Sequence, residues 1–359
     1  MTARFVPFDP ATAPADEWAR LHAYRRARHA ELRPGDPLMD DATFEQAARN
    51  EADNPEFTSL RFAILDAATG AQIGSMSYGC LNPASPSYAE NHALGRVQLV
   101  VLGPWRHQGI GRAGLARLRD LMRAHGQSVV IGATAEADGE AFARAVGAEV
   151  ALAGSENRLD LADVDWAMVD RWIAEGQARA PDACLTFFDH LPDAIADPFA
   201  ELYTETFNQQ PLGELAVGAV VFTPEILRRN EANLERLGGR HISAVIQETD
   251  GALSGLTELV WIPGRPTLAE QGLTGVRDAF RGGGRGKWLK AAMLRRARAE
   301  LPDVVTIATD NASSNAPMLA INAQLGFRPH MASVNVQLTI EALEGYLSRE
   351  GDGEAGRGA

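Results

Sequence analysis

The chain has 359 residues, 45% hydrophobic and 23% charged, the composition of a soluble globular protein too long for one ordinary domain. Thirty-four basic and 47 acidic side chains leave a net charge of −13, which disfavours a general nucleic-acid or anionic-membrane binder. Cys80 and Cys184 form no metal-type or disulfide-type spacing, no basic-then-apolar signal segment is present, and the apolar runs are strand-sized, so a cytoplasmic protein without metal is expected.

In chain order, a strand is predicted over Arg4–Phe8, then an amphipathic helix with Trp18, Leu21 and Tyr24 at helical spacing. A second helix ends at ARNEAD (48–53), and FAILDAATGAQIGSMSYG reads as a hairpin with a Gly-bearing turn. VQLVVL (97–102) is a strand, followed by a Gly-rich loop, the helix RAGLARLRDLMRAHG, the strand SVVIGAT, and a last helix and strand. LADVDWAMVDRWIAEGQARAP reads as a connecting helix ended by Pro181. From Cys184–Phe188 the same order begins again, with Phe199, Leu202 and Tyr203 on the first helix.

The recurrence is collinear. FVPFD (5–9) answers LTFFD (185–189), ARNEAD answers RRNEAN (228–233), WRHQGIGRA (105–113) answers FRGGGRGKW (280–288), and AVGAEV (145–150) answers QLGFRP (324–329). A tandem duplication follows. The expected partition is an N-terminal unit over 1–162, a linker helix over 163–181, a C-terminal unit over 182–348 and a disordered, Gly-rich tail over 349–359.

A strand, clustered glycines and a helix make an anion site, because the first N–H groups of the helix are unpaired and face outward. Arg281, Arg285 and Lys287 add charge to the second loop, and Arg106 and Arg112 to the first. The only two lysines, Lys287 and Lys290, both sit at the second loop, facing a pyrophosphate in this reading, with Lys290 near a further phosphate. GKW fails as a P-loop, since Trp288 stands where a Ser or Thr is needed. Gly109, Gly111 and Gly114 match a dinucleotide fingerprint formally, but no acidic residue ends the next strand. Both halves share R-x-x-G-x-G: Arg106, Gly109, Gly111 and Arg281, Gly284, Gly286.

At these residues the sequence resembles the GNAT N-acetyltransferase superfamily, in a tandem arrangement of actinobacterial type. TDNASSNAPMLAINAQLGF (309–327) resembles the segment that follows the loop in that family. The resemblance implies an α/β (α+β) fold of two units, each a mixed, mostly antiparallel sheet flanked by helices. It implies acetyl-CoA or another short acyl-CoA as cofactor. Arg281, Gly282, Gly283, Gly284, Arg285, Gly286, Lys287, Asn311 and Asn315 would hold it, with Val276 on the strand beside the pantetheine arm. Val101, Arg106, Gly109, Ile110, Gly111 and Arg112 are the matching set in the N-terminal unit.

The resemblance also implies roles in catalysis: Glu270 as base, the Val276 backbone as oxyanion contact, and Asn322 at the place of the family's tyrosine acid. Asn322 has no titratable proton, and Ala143 holds its place in the first half, so Tyr203 or water must substitute. Glu248 and Glu258 are alternative carboxylates, and Asn315 also fits a helix cap. The C-terminal unit is expected to be catalytic and the N-terminal one degenerate or auxiliary. The expected activity is direct acetyl transfer to a small-molecule primary amine. Alternatives are a non-catalytic acyl-CoA-binding or sensor protein, and a mycothiol-synthase-like or aminoacyl-transferring tandem member. Two units in one chain imply a pseudo-dimeric monomer or a homodimer.

Overall fold

The computed structural model describes residues 3–355, with side chains through Arg349. The first half runs β1 (Ala3–Pro7), α1 (Ala15–Leu32), α2 (Asp41–Ala52), β2 (Phe57–Asp66), β3 (Gln72–Leu81), α3 (Tyr88–Asn91), β4 (Leu94–Val101), α4 (Ile110–His125), β5 (Val129–Thr134), α5 (Ala137–Val146) and β6 (Glu149–Asp160). Then come α6 (Trp166–Arg179), β7 (Cys184–Phe188), α7 (Ala196–Asn208), α8 (Pro224–Glu235), β8 (Arg240–Gln247), β9 (Leu253–Trp261), β10 (Leu268–Val276), α9 (Arg285–Glu300), β11 (Thr306–Ala312), α10 (Ala316–Leu325), β12 (Arg328–Thr339) and α11 (Ile340–Ala355).

The chain divides into two compact units that do not follow the contiguous partition expected from the sequence. Unit 1 holds the residues up to Leu152, Leu212–Ala219 and those from Ser333; unit 2 holds Ala153–Pro211 and Val220–Ala332. The physical reason is strand exchange. In unit 1 the strand order is β1-β2-β3-β4-β5-β12, and β12 pairs antiparallel with β5 from Val334 opposite Thr134 to Thr339 opposite Val129. In unit 2 the order is β6-β11-β10-β9-β8-β7, and β6 pairs antiparallel with β11 from Asp160 opposite Thr306 to Gly154 opposite Ala312. Each half of the sequence therefore supplies the closing strand of the other unit's sheet.

Each sheet is mixed and mostly antiparallel, as the resemblance implies. In unit 1, α4 lays Leu115, Leu118 and Met122 into a core shared with Met76, Tyr78 and Val130, and Ile110 into a second one with Ile64 and Ile73. Each such side chain contributes about 1.5–3 kcal/mol on burial. In unit 2, α9 buries Trp288, Leu289, Met293 and Leu294 against Ile242, Leu259 and Ile307. The expected connecting helix is part of that core: a Cβ added at Gly176 of α6 would lie 2.5 Å from Trp288, so the two helices pack backbone against ring. Asp165 caps α6 by accepting from Met168 N at 3.0 Å.

α11 continues through Ala355 into the stretch expected to be a tail, and residues 356–359 lie outside the described residues. No helix among the described residues is long and apolar enough to cross a membrane.

Candidate functional site

Both R-x-x-G-x-G loops take one backbone shape. The second and fourth residues are left-handed in each: His107 at φ 59° and Gly109 at 78° in unit 1, Gly282 at 78° and Gly284 at 84° in unit 2. The arginine that opens each loop turns back on the strand before it. Arg106 Nε donates to Val101 O at 3.0 Å, and Arg281 Nε to Val276 O at 3.1 Å. These arginines clasp the loop, and their remaining nitrogens meet carboxylates: Glu136 at 2.8 Å for Arg106, Asp278 at 2.7 Å for Arg281. Arg28 and Arg106 together hold the Glu136 carboxyl down to about 2.

The charge expected to greet a pyrophosphate is thus partly spent within the fold. Arg285 is locked to Glu248 at 2.7 and 2.8 Å, and that ion pair lowers the Glu248 pKa. Arg112 donates to Leu347 O at 3.2 Å. Lys290 is overturned as a phosphate contact: it is 1% exposed, with its ammonium 5.2 Å from the Phe327 ring, and burial pulls its pKa down to about 7. What faces outward in unit 2 is the first turn of α9 and Lys287, whose Nζ donates to Gln324 at 2.8 Å and lies 4.6 Å from the Trp172 ring. Arg179 of α6, which sequence reasoning missed, reaches the loop: a Cβ on Gly284 would lie 2.7 Å from its Nη1. Its signal was hidden because α6 read as a connector.

In each unit the strand before the loop parts from its parallel neighbour after three residue pairs. β4 pairs with β5 only over Leu94–Arg96, and β10 with β11 only over Leu268–Glu270. Beyond that point the strands leave a V-shaped opening, which ends at Val101 or Val276 beside the loop. β10 differs from β4 in one respect. Gln271 stands opposite Leu259 and Thr274 opposite Thr257, so Gly272 and Leu273 together oppose Glu258 in a β-bulge. β4 runs against β3 without interruption from Gly95 to Val101. A bulge leaves its extra residue unpaired in the ladder and re-aims the local backbone.

Around the unit 2 opening, two buried acceptors lack donors among the described residues. Gln271 Nε2 donates to Thr257 Oγ1 at 3.2 Å, but its Oε1 has no partner. Asn322 is 2% exposed and donates through Nδ2 to Asn311 Oδ1 at 2.7 Å, while its Oδ1 has no partner. Asn311, expected at the cofactor, accepts from both Asn322 and, at 3.3 Å, Asn157. Asn315 caps α10, accepting from Met318 N at 3.4 Å. An unsatisfied buried acceptor costs about 1–3 kcal/mol. Two of them beside one opening fit a ligand that brings N–H donors, as the amide-bearing pantetheine arm of CoA does. The glycine cradle fits too: a Cβ on Gly286 would come within 3.6 Å of Ile321 and 3.9 Å of Val276.

Glu270 lies on β10 before the bulge; its side chain is 51% exposed and accepts from Arg265 at 2.6 Å. On β9, Glu258 is buried on the face that α7 covers. Tyr203 of α7 donates to Glu258 Oε2 at 3.0 Å, and His241 Nε2 of β8 lies 2.9 Å from Oε1. Burial raises the Tyr203 pKa well above its ordinary value, and the Glu258 charge adds to it. Burial alone would lower the His241 pKa, but Glu258 and, more distantly, Glu231 and Asp189 more than offset it. His241 carried no motif, and only pairing across the sheet brings it to Glu258.

Unit 1 has an apolar cavity of about 600 Å³ inside its own opening, lined by Val97, Leu99, Leu115, Phe142, Val146 and Leu338 among others, with Gly109–Arg112 at its edge. Counted from the paired strand ends, Ser77 takes the place of Glu258.

No protein-family model matches the chain, and no curated protein matches it. Solved structures do. A tandem GNAT protein from the clavulanic acid biosynthesis pathway is 25% identical over 94% of this chain and 98% of its own, with a TM-score of 0.72. A GCN5-related N-acetyltransferase from Sphaerobacter thermophilus is 15% identical over 94% and 96%, with a TM-score of 0.61. The N-myristoyltransferase of Saccharomyces cerevisiae with bound myristoyl-CoA is 11% identical over 94% and 79%, with a TM-score of 0.56, a likeness of fold. With two splayed sheets, two loops of one shape and this likeness along nearly its whole length, the chain is a tandem member of the GNAT superfamily.

Proposed function

We propose that unit 2 transfers an acetyl or other short acyl group from CoA directly to the primary amine of a small molecule, in the cytoplasm. The observation that carries this reading is the bulge at Gly272–Leu273, set at the mouth of a splayed strand pair with orphaned acceptors beside it. Backbone N–H groups of Gly284–Gly286, with Lys287 and Arg179, would hold the pyrophosphate. Gln271 and Asn322 would accept from the pantetheine amides. The backbone between the bulge and Val276 would meet the thioester oxygen, where a fixed N–H stabilises developing charge. Bound acyl-CoA supplies an activated acyl carbon. Direct transfer is supported by the cysteines: Cys80 is buried in unit 1 and Cys184 lies on β7, away from the bulge strand in the order β10-β9-β8-β7.

For unit 1 the cavity favours a second role, acyl-CoA binding without chemistry. It keeps the loop and the opening but has neither bulge, nor Glu258, nor Asn322. The test is thiol release from acetyl-CoA across a panel of primary amines, with calorimetric titration of acyl-CoA. Turnover is expected only with an amine present. Gly286→Val should abolish it, while Gly111→Val should spare it and remove one binding equivalent. Turnover surviving Gly286→Val would move the chemistry out of unit 2.

A further inference from the structure

We propose that Glu258, with His241 behind it and Tyr203 beside it, is the proton-accepting site for the ammonium group of the acceptor. This rests on the reading of unit 2 as a transferase. Glu258 is the residue that the bulge pair opposes, and a Cβ on Gly272 would lie 3.3 Å from its Oε2. A carboxylate oxygen therefore lies against the irregular backbone of β10, with no side chain between. The residue is 5% exposed, so little water competes for it. A carboxylate offers about four lone-pair directions, and Tyr203 and His241 use two of them. An ammonium group reaching it past the bulge of β10 would meet the rest.

Other charged groups surround this pair from every element packed on it. Glu231 of α8 accepts from Leu191 N at 3.1 and 3.2 Å, and burial raises its pKa. Asp189, after β7, is engaged by Arg240. Glu270 is tied to Arg265 at 2.6 Å, half exposed to water. Tyr203 stays protonated and works as a fixed donor that positions Glu258. His241, donating through Nε2–H, positions the other oxygen.

The step balances. The ammonium gives one proton to Glu258, which releases it to water once the product has left. The freed nitrogen bonds the acyl carbon, and the carbon–sulfur bond breaks with its electron pair on sulfur. The second nitrogen proton reaches that thiolate through water, and the amide keeps the third. Asn322 supplies none of these protons.

Three variants and a titration test this. E258Q should lower kcat about 100-fold or more, with acyl-CoA affinity unchanged. E258D should restore part of the rate. Apart from turnover, the His241 ring protons of the ligand-free protein should titrate above the ordinary imidazole value, and E258Q should bring that midpoint down. The acid limb of kcat/KM should follow the same midpoint and shift to lower pH in H241Q. A rate that survives E258Q, or a His241 midpoint that E258Q does not move, overturns this proposal and leaves the transferase reading standing. Absence of thiol release from the unaltered protein, with acyl-CoA bound, overturns both.

Discussion

Unit 1 and unit 2 build the same loop from different residues and different strands from a common plan. The arginine clasp spans five residues in both, at 3.0 and 3.1 Å, and the left-handed positions coincide although one is His107 and the other Gly282. The strands that feed the loops diverge. β10 carries a bulge facing a buried carboxylate, and β4 carries an even ladder facing Ser77. The core beneath the loop diverges as well: Leu115 occupies in α4 the place that Lys290 occupies in α9. A loop that only recognises phosphate tolerates copying. A strand pair that must present an N–H to the carbonyl oxygen and a base to the attacking nitrogen does not, so the two copies are most different where chemistry would occur.

The largest test removes that difference. Deleting Gly272 gives β10 the even register of β4. The expected result is a fall in kcat of about 10²–10³-fold, the range for loss of one oxyanion donor, while calorimetry still finds acyl-CoA bound at the unit 2 loop. Unchanged single-turnover rates would mean that the bulge is only a feature of the sheet.

The second test makes the cores alike. Lys290→Leu replaces a buried amine by the residue of unit 1. Its folded pKa of about 7 lies below the unfolded value of 10.5. The unfolded chain therefore binds more protons between those values, and stability of the native protein rises with pH across that window. Near pH 7 the leucine variant should be more stable by about 2–4 kcal/mol. The gain should shrink toward pH 10, because the unfolded lysine then loses its proton too. Urea midpoints measured along a pH series check this; a gain independent of pH would place its origin in packing.

Much of this comparison was legible in the sequence, for a physical reason. Phosphate loops and helix caps are local, so R-x-x-G-x-G and Asn315 could be read from spacing alone. The exchange of β6 and β12 could not, because nothing in a closing strand records which sheet it will join. The bulge is one residue of register, visible only against β9. Arg285 read as a free cation, but its partner Glu248 lies 37 residues away in a hairpin. Glu258 stood among the candidate carboxylates, and what singles it out is Tyr203, 55 residues away, and His241, 17 away.

The smallest test asks whether the loops are interchangeable. Gly282 has φ +78°, yet a Cβ there would meet nothing within 4 Å. A side chain at that point suffers only the local strain of the left-handed region, about 1–2 kcal/mol. His107 already bears that strain at φ 59° in the same position of unit 1. Gly282→His should therefore cost about 1 kcal/mol in unit 2 and leave acyl-CoA affinity nearly unchanged. Gly284→His should cost more and weaken binding, because its Cβ would displace Arg179 from 2.7 Å. Equal losses from the two substitutions would show that the strained backbone, and not the side chain it admits, governs the loop.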